Sequence, residues 1–266
     1  MPETLAQLDT AGLTVACPAW QRRLPGLIHG VTTRQALPQP GKGEFFQAIL
    51  RARQAGAIPC ALTLGAGQVH GDHLESVIEP INYRHQPPGL RCDNAHEICE
   101  FAATDALLTT LPGVLLVIQT ADCMPVFMVD PAAQLVGLAH CGWSGMRLGL
   151  AGKLAREMVL QGGSLETMEA WLGPAICVEH YEVGRELVDD FQAAFPGAAV
   201  SPNGTHLDLA AVARWQLEQA GLAPGRIFES GECTLGQPNR YHSYRGQGAE
   251  SGRLFSFIGF AEGSVY

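Results

Sequence analysis

Two histidines and a cysteine lie at the ends of apolar runs, where a rigid backbone can hold side chains for chemistry. Cys123 follows the run Val114–Ile118 through a polar turn. His140 closes the run Leu135–Ala139, and His70 ends an earlier one. Two imidazoles and a thiolate, with a fourth position left for water, are the pattern of a catalytic zinc site. These three residues are therefore the candidate metal ligands, and a Cys/His nucleophile pair is the alternative use of the same side chains.

The metal most compatible with this ligand set is zinc, which lowers the pKa of bound water to about 7. The gaps of 53 and 17 residues that separate His70, Cys123 and His140 match no zinc finger. Copper is less favoured, because the chain has no His-x-His pair and Met124 would point away from Cys123 on a strand. Asp122 has three alternative roles: it orients a histidine, carries a proton or caps a turn.

Arginines and aromatic residues beside polar turns are candidates for binding an anion and a flat ring. Arg34, Arg147 and Arg245 each lie in a turn that contains Gly, Thr or Ser. The planar guanidinium presents a fork of donors that fits phosphate or carboxylate. Trp143 and Tyr244 can stack on a ring, although a place in the core is the alternative for each.

Short β-prone runs alternate irregularly with amphipathic segments, and this pattern predicts the elements that position these residues. The alternation predicts a mixed α/β, or layered α+β, fold: a single domain over residues 1–266 with a mixed sheet flanked by helices. The expected strands are Leu27–Thr33, two within Ala61–Ile78, Val114–Ile118, Pro125–Val129, Leu135–Ala139, Glu169–Leu172, Ile227–Ser230, and Tyr241–Arg245 beside Leu254–Phe260. The expected helices are Phe45–Ala55, Met146–Leu160, Tyr181–Phe195 and Leu207–Ala220, and the expected loops include Gln35–Gly43 and Pro80–Glu97.

Composition narrows the class of protein. The chain has 266 residues, of which 47% are hydrophobic and 16% charged, so a sizeable core is expected. A net charge of −9 argues against a nucleic-acid surface. The sequence shows neither a span long enough to cross a bilayer nor a secretory signal, so we expect a soluble, cytoplasmic protein. In that compartment the eight cysteines are expected to be thiols.

Several motifs resemble those of the laccase-domain family, also called the YfiH-type polyphenol oxidase or peptidoglycan editing factor family. The likeness extends from about residue 27 to 260, nearly the whole chain. The segments that carry it are Gln68–Gly71, Thr120–Val126, Asp130, His140–Trp143, Gly173–Pro174, Tyr181–Gly184, Ser243–Arg245 and Gly252–Arg253. The resemblance implies an α/β domain with zinc held by His70, Cys123 and His140. It also implies phosphorolysis of adenosine, inosine or methylthioadenosine, and deamination of adenosine.

This sequence departs from the family pattern at positions that concern phosphate. Cys141 and Ser144 stand where the family usually has Ala and Arg, and Gly246 stands where it has a second Arg. Two arginines that are available to phosphate in the family are therefore absent, and Arg147 is the candidate replacement for the first. These changes bear on phosphorolysis more than on metal binding.

The preferred hypothesis is a zinc-dependent purine nucleoside enzyme whose partners are a nucleoside and phosphate. Arg34 and Arg245 hold phosphate for attack at the ribose C1′, or hydroxide adds to C6 of adenine with Asp122 as proton carrier and Cys123 at the centre. Three alternatives stay open: an amidase-like enzyme that edits cell-wall precursors, a copper-dependent phenol oxidase, and a non-catalytic scaffold that the metal ligands stabilise. No nucleic-acid or membrane partner is expected.

Overall fold

A computed structural model describes residues 14–36, 42–54, 58–82, 85–93, 95 and 97–264. Its strands are β1 (Thr14–Val15), β2 (Leu27–Thr32), β3 (Leu62–Gly67), β4 (Leu74–Val77), β5 (Leu90–Cys92), β6 (Ile98–Ala102), β7 (Ala106–Thr109), β8 (Val114–Thr120), β9 (Met124–Asp130), β10 (Leu135–Cys141), β11 (Glu169–Leu172), β12 (Ile227–Glu229) and β13 (Leu254–Phe260). Its helices are α1 (Pro18–Arg23), α2 (Lys42–Gln54), α3 (Trp143–Arg147), α4 (Leu150–Leu160), α5 (Arg185–Ala194), α6 (Leu209–Gln219) and α7 (Tyr244–Gln247).

The strands form two mixed sheets. The first sheet has the order β1-β2-β13-β8-β3-β6-β5, and the second has the order β12-β11-β9-β10-β7-β4. In the first sheet β3 pairs in parallel with both β6 and β8. In the second, β10 pairs antiparallel with both β7 and β9. The mixed α/β class is thus confirmed, and the strands divide between two sheets.

The two sheets pack face to face between layers of helices. Along β9 the side chains alternate: Phe127 and Val129 join the core between the sheets, whereas Val126 and Met128 join the core beneath α4 and α6. This is the period of two that a strand imposes when both its faces are buried. On the outer face of the first sheet, Phe45 of α2 stacks on another ring with 4.0 Å between the centroids. The layer order is helix, sheet, sheet, helices.

The chain crosses from the first sheet to the second at three places that lie at one edge. The crossings join β3 to β4, β6 to β7, and β8 to β9. Because β3, β6 and β8 are parallel, their carboxyl ends meet at the same edge. The loops of the three crossings therefore lie close together, and loops at such an edge are a usual place for a site.

The strand predictions around the central stretch are confirmed. Val114–Ile118, Pro125–Val129 and Leu135–Ala139 all lie within strands, and Glu169–Leu172 is β11 as predicted. The expected helix Met146–Leu160 is divided at Gly149, whose φ of 82° falls in the left-handed region.

Other local predictions were wrong. Tyr241–Arg245 is not a strand, because Ser243 caps the short helix α7 with its side chain. The segment Pro80–Glu97, expected to be a loop, contains β5. Cys92 of β5 faces Cys99 of the antiparallel neighbour β6. The two form a disulfide, although thiols were expected.

Some expectations lie outside what the structure tests. Most of the predicted loop Gln35–Gly43 falls outside the described residues. The single domain over residues 1–266 and the cytoplasmic location stay predictions. Among the described helices, none is long and apolar enough to cross a membrane.

Candidate functional site

His70, Cys123 and His140 converge on one point. Their ligand atoms, two imidazole nitrogens and one sulfur, all lie within 4.8 Å of one another. The two imidazole rings are 4.8 Å apart between centroids and inclined at 74°. We call these three residues the cavity cluster. Two of them lie on the crossings after β3 and β8, and the third lies in β10, so residues far apart in sequence meet through the topology of the sheets.

Asp105 is the residue that positions the cavity cluster. It lies on the third crossing, between β6 and β7, and is fully buried. Its Oδ1 is 2.9 Å from His140 Nδ1, which leaves Nε2 of that ring for a ligand. The same carboxylate accepts hydrogen bonds from the backbone N–H groups of Val69, His70 and Gly71 at 2.8–3.1 Å. One carboxylate therefore fixes the ring of one candidate ligand and the backbone of another, an arrangement common at metal sites.

The backbone near the cluster is strained or tightly packed. His70 and Asp122 have φ values of 61° and 87°, which non-glycine residues rarely adopt and which often mark functional sites. At Gly142, a Cβ would lie 2.9 Å from Cys123 Sγ and 3.3 Å from His70 Cδ2. Only glycine leaves room there for both candidate ligands.

Electrostatics favour the thiolate of Cys123. Burial alone would raise the pKa of this thiol, but its hydrogen bonds and charge interactions with His140 and His70 lower it to about 6. In the same way, burial works against the charged form of His140, yet Asp105 and Cys123 raise its pKa to about 9. The side chain of Cys123 is therefore ionised at neutral pH, and the thiolate is the form that binds metals.

A cavity of about 790 Å³ opens beside the cluster. Its volume falls within the roughly 300–1,000 Å³ typical of small-molecule sites. Trp143 at the start of α3 and Tyr244 at the start of α7 both line it, with exposed fractions of 46% and 56%. Neither predicted aromatic is therefore in the core. Thr120 also lines this cavity, and its hydroxyl oxygen is buried without a hydrogen-bond partner among the described residues.

Two guanidinium groups line the cavity, but only one of them was among the predicted arginines. Arg245 lies with its guanidinium 5.2 Å from the centre of the Tyr181 ring, and it donates a hydrogen bond of 2.8 Å to the carbonyl of Glu182. Arg253 is the second, and its guanidinium donates to the carbonyls of two residues just before it. Both retain donors that these bonds do not use.

The structure does not bring the other two predicted arginines to the cavity. Arg147 forms a two-fold ion pair with Asp190 of α5, at 2.5 and 2.8 Å. Its fork of donors binds a carboxylate and it is not among the residues that line the cavity, so its role as a replacement phosphate ligand stays a prediction. Arg34 donates to the carbonyl of Pro238 at 3.0 Å and is likewise not among the lining residues.

Asp122 lines the cavity and ties together two segments around it. Its Oδ1 accepts a hydrogen bond of 2.6 Å from the hydroxyl of Thr234, and its Oδ2 accepts one of 2.7 Å from the backbone N–H of Arg245. Its carbonyl accepts from the N–H of Ile176 at 3.0 Å. The carboxylate is thus engaged on both oxygens, and its catalytic role as a proton carrier stays a prediction.

Two residues of this site were missed in the sequence. Asp105 precedes the apolar run of β7, and a carboxylate at the start of a buried strand was the available signal. Arg253 stands beside Gly252 directly before β13, a polar residue at a strand end like those that were chosen.

The chain is similar in sequence and in fold to several known proteins. The family described as "Multi-copper polyphenol oxidoreductase laccase" matches residues 47–261. A protein of Deinococcus radiodurans named purine nucleoside phosphorylase is 41% identical over 157 residues, which is 58% of this chain and 60% of that protein. "Adenosine deaminase RL5", from an unknown prokaryotic organism, is 36% identical over 160 residues, 58% of this chain and 61% of its own length.

A longer match joins this chain to a Mycobacterium bovis protein named purine nucleoside phosphorylase, 32% identical over 212 residues, 78% of this chain and 77% of that one. The chain spans about 60% of the length of the first curated relatives that it matches. Among solved structures, the YfiH protein of Bacillus licheniformis aligns with a TM-score of 0.74 and 27% identity over 95% of this chain and 98% of its own. YlmD of Geobacillus stearothermophilus aligns with a TM-score of 0.75 and 26% identity over 92% and 94%.

Proposed function

This chain belongs to the multi-copper polyphenol oxidoreductase laccase family, and we propose that it is a zinc-dependent enzyme acting on purine nucleosides. Relatives named purine nucleoside phosphorylase or adenosine deaminase support an enzyme of this general kind. The observation that carries the proposal is one cavity lined by the cavity cluster, by aromatic residues that include Trp143 and Tyr244, and by two arginines. These are the groups that a divalent ion, a purine base and phosphate each require.

The cavity cluster fits a single zinc ion held by His70, Cys123 and His140. The ligands are two imidazoles and one thiol that is ionised at neutral pH, a set that zinc prefers. The buried carboxylate of Asp105 fixes the ring of His140 so that its second nitrogen is free to bind. His70, Cys123 and His140 would hold this ion, which would supply a Lewis acid and a water of lowered pKa beside the cavity.

The aromatic residues provide a place for the base. Trp143 and Tyr244 line the cavity while staying about half exposed, so a ring that enters it can contact them. Stacking on such rings adds stabilisation beyond the burial of area.

Arg245 and Arg253 provide the place for phosphate. In phosphorolysis, a phosphate oxygen forms a bond to the ribose C1′ while the bond from C1′ to the base breaks. Arg245 is held on one side by the carbonyl of Glu182 and at its own backbone N–H by Asp122, so its guanidinium is fixed before substrate binds. We assign Asp122 to this positioning role, and Arg253 takes the place that the sequence had suggested for Arg34 and Arg147.

Multicopper oxidation is less compatible with this site. At the cavity, the described residues assemble ligands for one ion. Oxidases of that kind need several copper ions close together, with many histidines around them. The cluster offers two imidazoles and a thiolate, a set more suited to one zinc ion than to a group of coppers.

The proposal is tested by metal analysis and by turnover of adenosine with and without phosphate. We expect one zinc at the cavity, adenine and ribose 1-phosphate when phosphate is present, and inosine with ammonia when it is absent. Cys123→Ala should lose this zinc and at least ~100-fold in turnover, because removing a ligand costs more than the 10–100-fold of an outer-shell change. Cys60→Ala, at a buried thiol away from the cavity, is the matched control. Full turnover by zinc-free Cys123→Ala protein would refute the proposal.

A second part of this experiment compares the contributions of Arg245 and Arg147 to phosphate binding. Arg245→Met should raise the KM for phosphate about 10–100-fold, since a charged hydrogen bond contributes about 1.5–3 kcal/mol. Arg147→Met removes a guanidinium that is occupied by Asp190, so the KM should stay unchanged. Equal effects of the two substitutions would contradict the assignment of phosphate to the cavity.

A further inference from the structure

A second group of soft ligands lies outside the cavity. Cys177, His180 and Cys233 bring two sulfurs and an imidazole nitrogen within 4.8 Å of one another. His180 Nδ1 is 3.1 Å from the sulfur of Cys177 and 3.3 Å from that of Cys233. We call these residues the loop cluster, because they come from the loops that follow β11 and β12. None of them lines the cavity described above.

The backbone around Cys233 is arranged to support a thiolate. Two N–H groups, those of Cys177 and Gly236, point at its sulfur, each at 3.3 Å. A neutral thiol gains little from two such donors, whereas a charged sulfur gains from both. Strong N–H donation to sulfur is the kind of outer contact that orients a metal-binding cysteine.

We propose that Cys177, His180 and Cys233 bind one thiophilic divalent cation, with zinc as the natural choice, at a site separate from the cavity cluster. In a tetrahedral zinc site the sulfur and nitrogen ligands stand about 3.6 Å apart, given Zn–S and Zn–N bonds of about 2.3 and 2.1 Å. The two observed sulfur–nitrogen distances are a few tenths of an ångström shorter, so small side-chain movements open the cluster around an ion. The exposed Glu179, two residues after Cys177, or water would take the fourth position.

An ion at the loop cluster would act on structure. Cys177 follows Ile176, and Cys233 precedes Thr234; both of these neighbours donate hydrogen bonds to Asp122. The two loops also meet at a bridge where the N–H of Thr234 donates to Ala175. A cation that joins the two loops therefore stabilises the segments that hold Asp122 in place.

A disulfide between Cys177 and Cys233 is the competing state of the same two sulfurs. It would bind no ion and would leave His180 with no metal to coordinate. The two states have opposite signatures: ion binding needs both sulfurs reduced and the imidazole present, whereas the disulfide holds both sulfurs oxidised and does not need the imidazole. The distinction is therefore open to direct measurement.

The test is a titration with Co²⁺ of reduced, metal-stripped Cys123→Ala protein, in which the cavity cluster has lost its thiolate. We expect one Co²⁺ per chain with sulfur-to-cobalt charge-transfer absorption, displaced by one equivalent of Zn²⁺. A further Cys177→Ser substitution should lower both that absorption and the affinity for Co²⁺, and His180→Gln should weaken Co²⁺ binding at least tenfold. Wild-type protein should bind one ion more than the Cys123→Ala protein.

The matched control is His73→Gln, which removes another exposed imidazole, one that pairs with Glu75 instead of two sulfurs. It should leave the cobalt affinity unchanged. Absence of stoichiometric binding, or equal affinity after His180→Gln and His73→Gln, would overturn the proposal. A disulfide between Cys177 and Cys233 in peptides from the unreduced, metal-replete protein would also overturn it. The Cys123→Ala background makes these outcomes independent of the proposed nucleoside activity.

Discussion

The cavity cluster and the loop cluster use the same ligand chemistry in different settings. His70, Cys123 and His140 come from two sheet crossings and a strand, and a buried carboxylate fixes the two histidines. The loop cluster comes from two surface loops, with an exposed histidine and two half-buried cysteines. Backbone N–H groups rather than a carboxylate support it.

The difference separates a site for reaction from a site for stability. Of the two clusters, only the cavity cluster opens onto a cavity that is also lined by aromatic and arginine side chains. Catalytic zinc sites keep an open position beside such groups, whereas structural sites close around the ion. Ligand type alone therefore does not identify function in this chain. The groups that hydrogen-bond to the ligands, and the presence or absence of an adjacent cavity, distinguish the two sites.

The largest expected effect comes from removing Asp105, which only the cavity cluster depends on. Asp105→Ala leaves His140 and three backbone N–H groups without their acceptor in a buried place. We expect a loss of about 3–5 kcal/mol in the free energy of unfolding and of 10–100-fold in zinc affinity at the cavity. Urea unfolding and zinc competition measure the two.

Asp190→Asn is the control for that substitution, since it removes a carboxylate from an exposed ion pair and should change neither quantity. Asp105→Asn keeps the shape and should fold, so it isolates the effect on zinc affinity. If zinc affinity at the cavity were unaltered in Asp105→Asn, the carboxylate would have no role in holding the ligand.

A smaller effect is expected at Gly142. The new methyl group of Gly142→Ala would lie 2.9 Å from the sulfur of Cys123, so the ligands must move. Overpacking of this kind costs about 1–3 kcal/mol, and we expect zinc affinity at the cavity to fall about tenfold. The loop cluster should keep its cobalt affinity. Gly225→Ala, where a methyl group meets nothing within 4 Å, is the control, and an equal loss in both variants would contradict the steric account.

The smallest effect concerns pH in the metal-free protein. The lowered pKa of Cys123, about 6 against an ordinary 9.0, adds stability that is complete above 9.0 and is lost as the pH falls through 6. The raised pKa of His140, about 9 against 6.5, adds stability that is complete below 6.5 and is lost as the pH rises through 9. Between 6.5 and 9 the two slopes oppose each other, so together they contribute almost no pH dependence.

The substitution Cys123→Ala removes the contribution of Cys123 to the pH dependence of the free energy of unfolding. Asp105 still favours the charged imidazole of His140, so the free energy of unfolding of this variant should fall relative to wild type as the pH rises from 6.5 to 9. Urea unfolding of both metal-free proteins near the ends of this window measures the difference, and all other titrating groups cancel. Parallel curves would show that no thiolate–imidazolium pair forms.

Local patterns in the sequence were enough for the strands that carry the cavity cluster. The apolar runs before Cys123 and His140 are short, β-prone and bounded by polar turns, and both are strands. The meeting of His70 with these two residues depends on parallel pairing of β3, β6 and β8, which lies between distant segments. Their residue types and their places at the ends of apolar runs made the three residues candidates for one site, and the likeness to a known family implied the same set.

The other features could not be predicted, because the position of a residue in the sequence does not give the direction of its side chain or its partner. Arg147 has the type and turn expected of a phosphate ligand, but its helix directs it to Asp190 of α5. Tyr241–Arg245 has the residues of a strand, and the side chain of Ser243 makes part of it a helix. The cysteines of the loop cluster are 56 positions apart, so no local spacing could have joined them.

Three parallel crossings between the sheets divide this protein into parts that can change at different rates. His70, Asp105 and Cys123 belong to the crossings, where a single replacement disturbs several partners. Trp143 and Tyr244 stand on short helices outside them, half in solvent. A lineage can therefore exchange those rings, and with them the compounds it accepts, while it inherits the ion-holding frame intact. Proteins descended from one such ancestor would bind the same metal ion and act on different substrates.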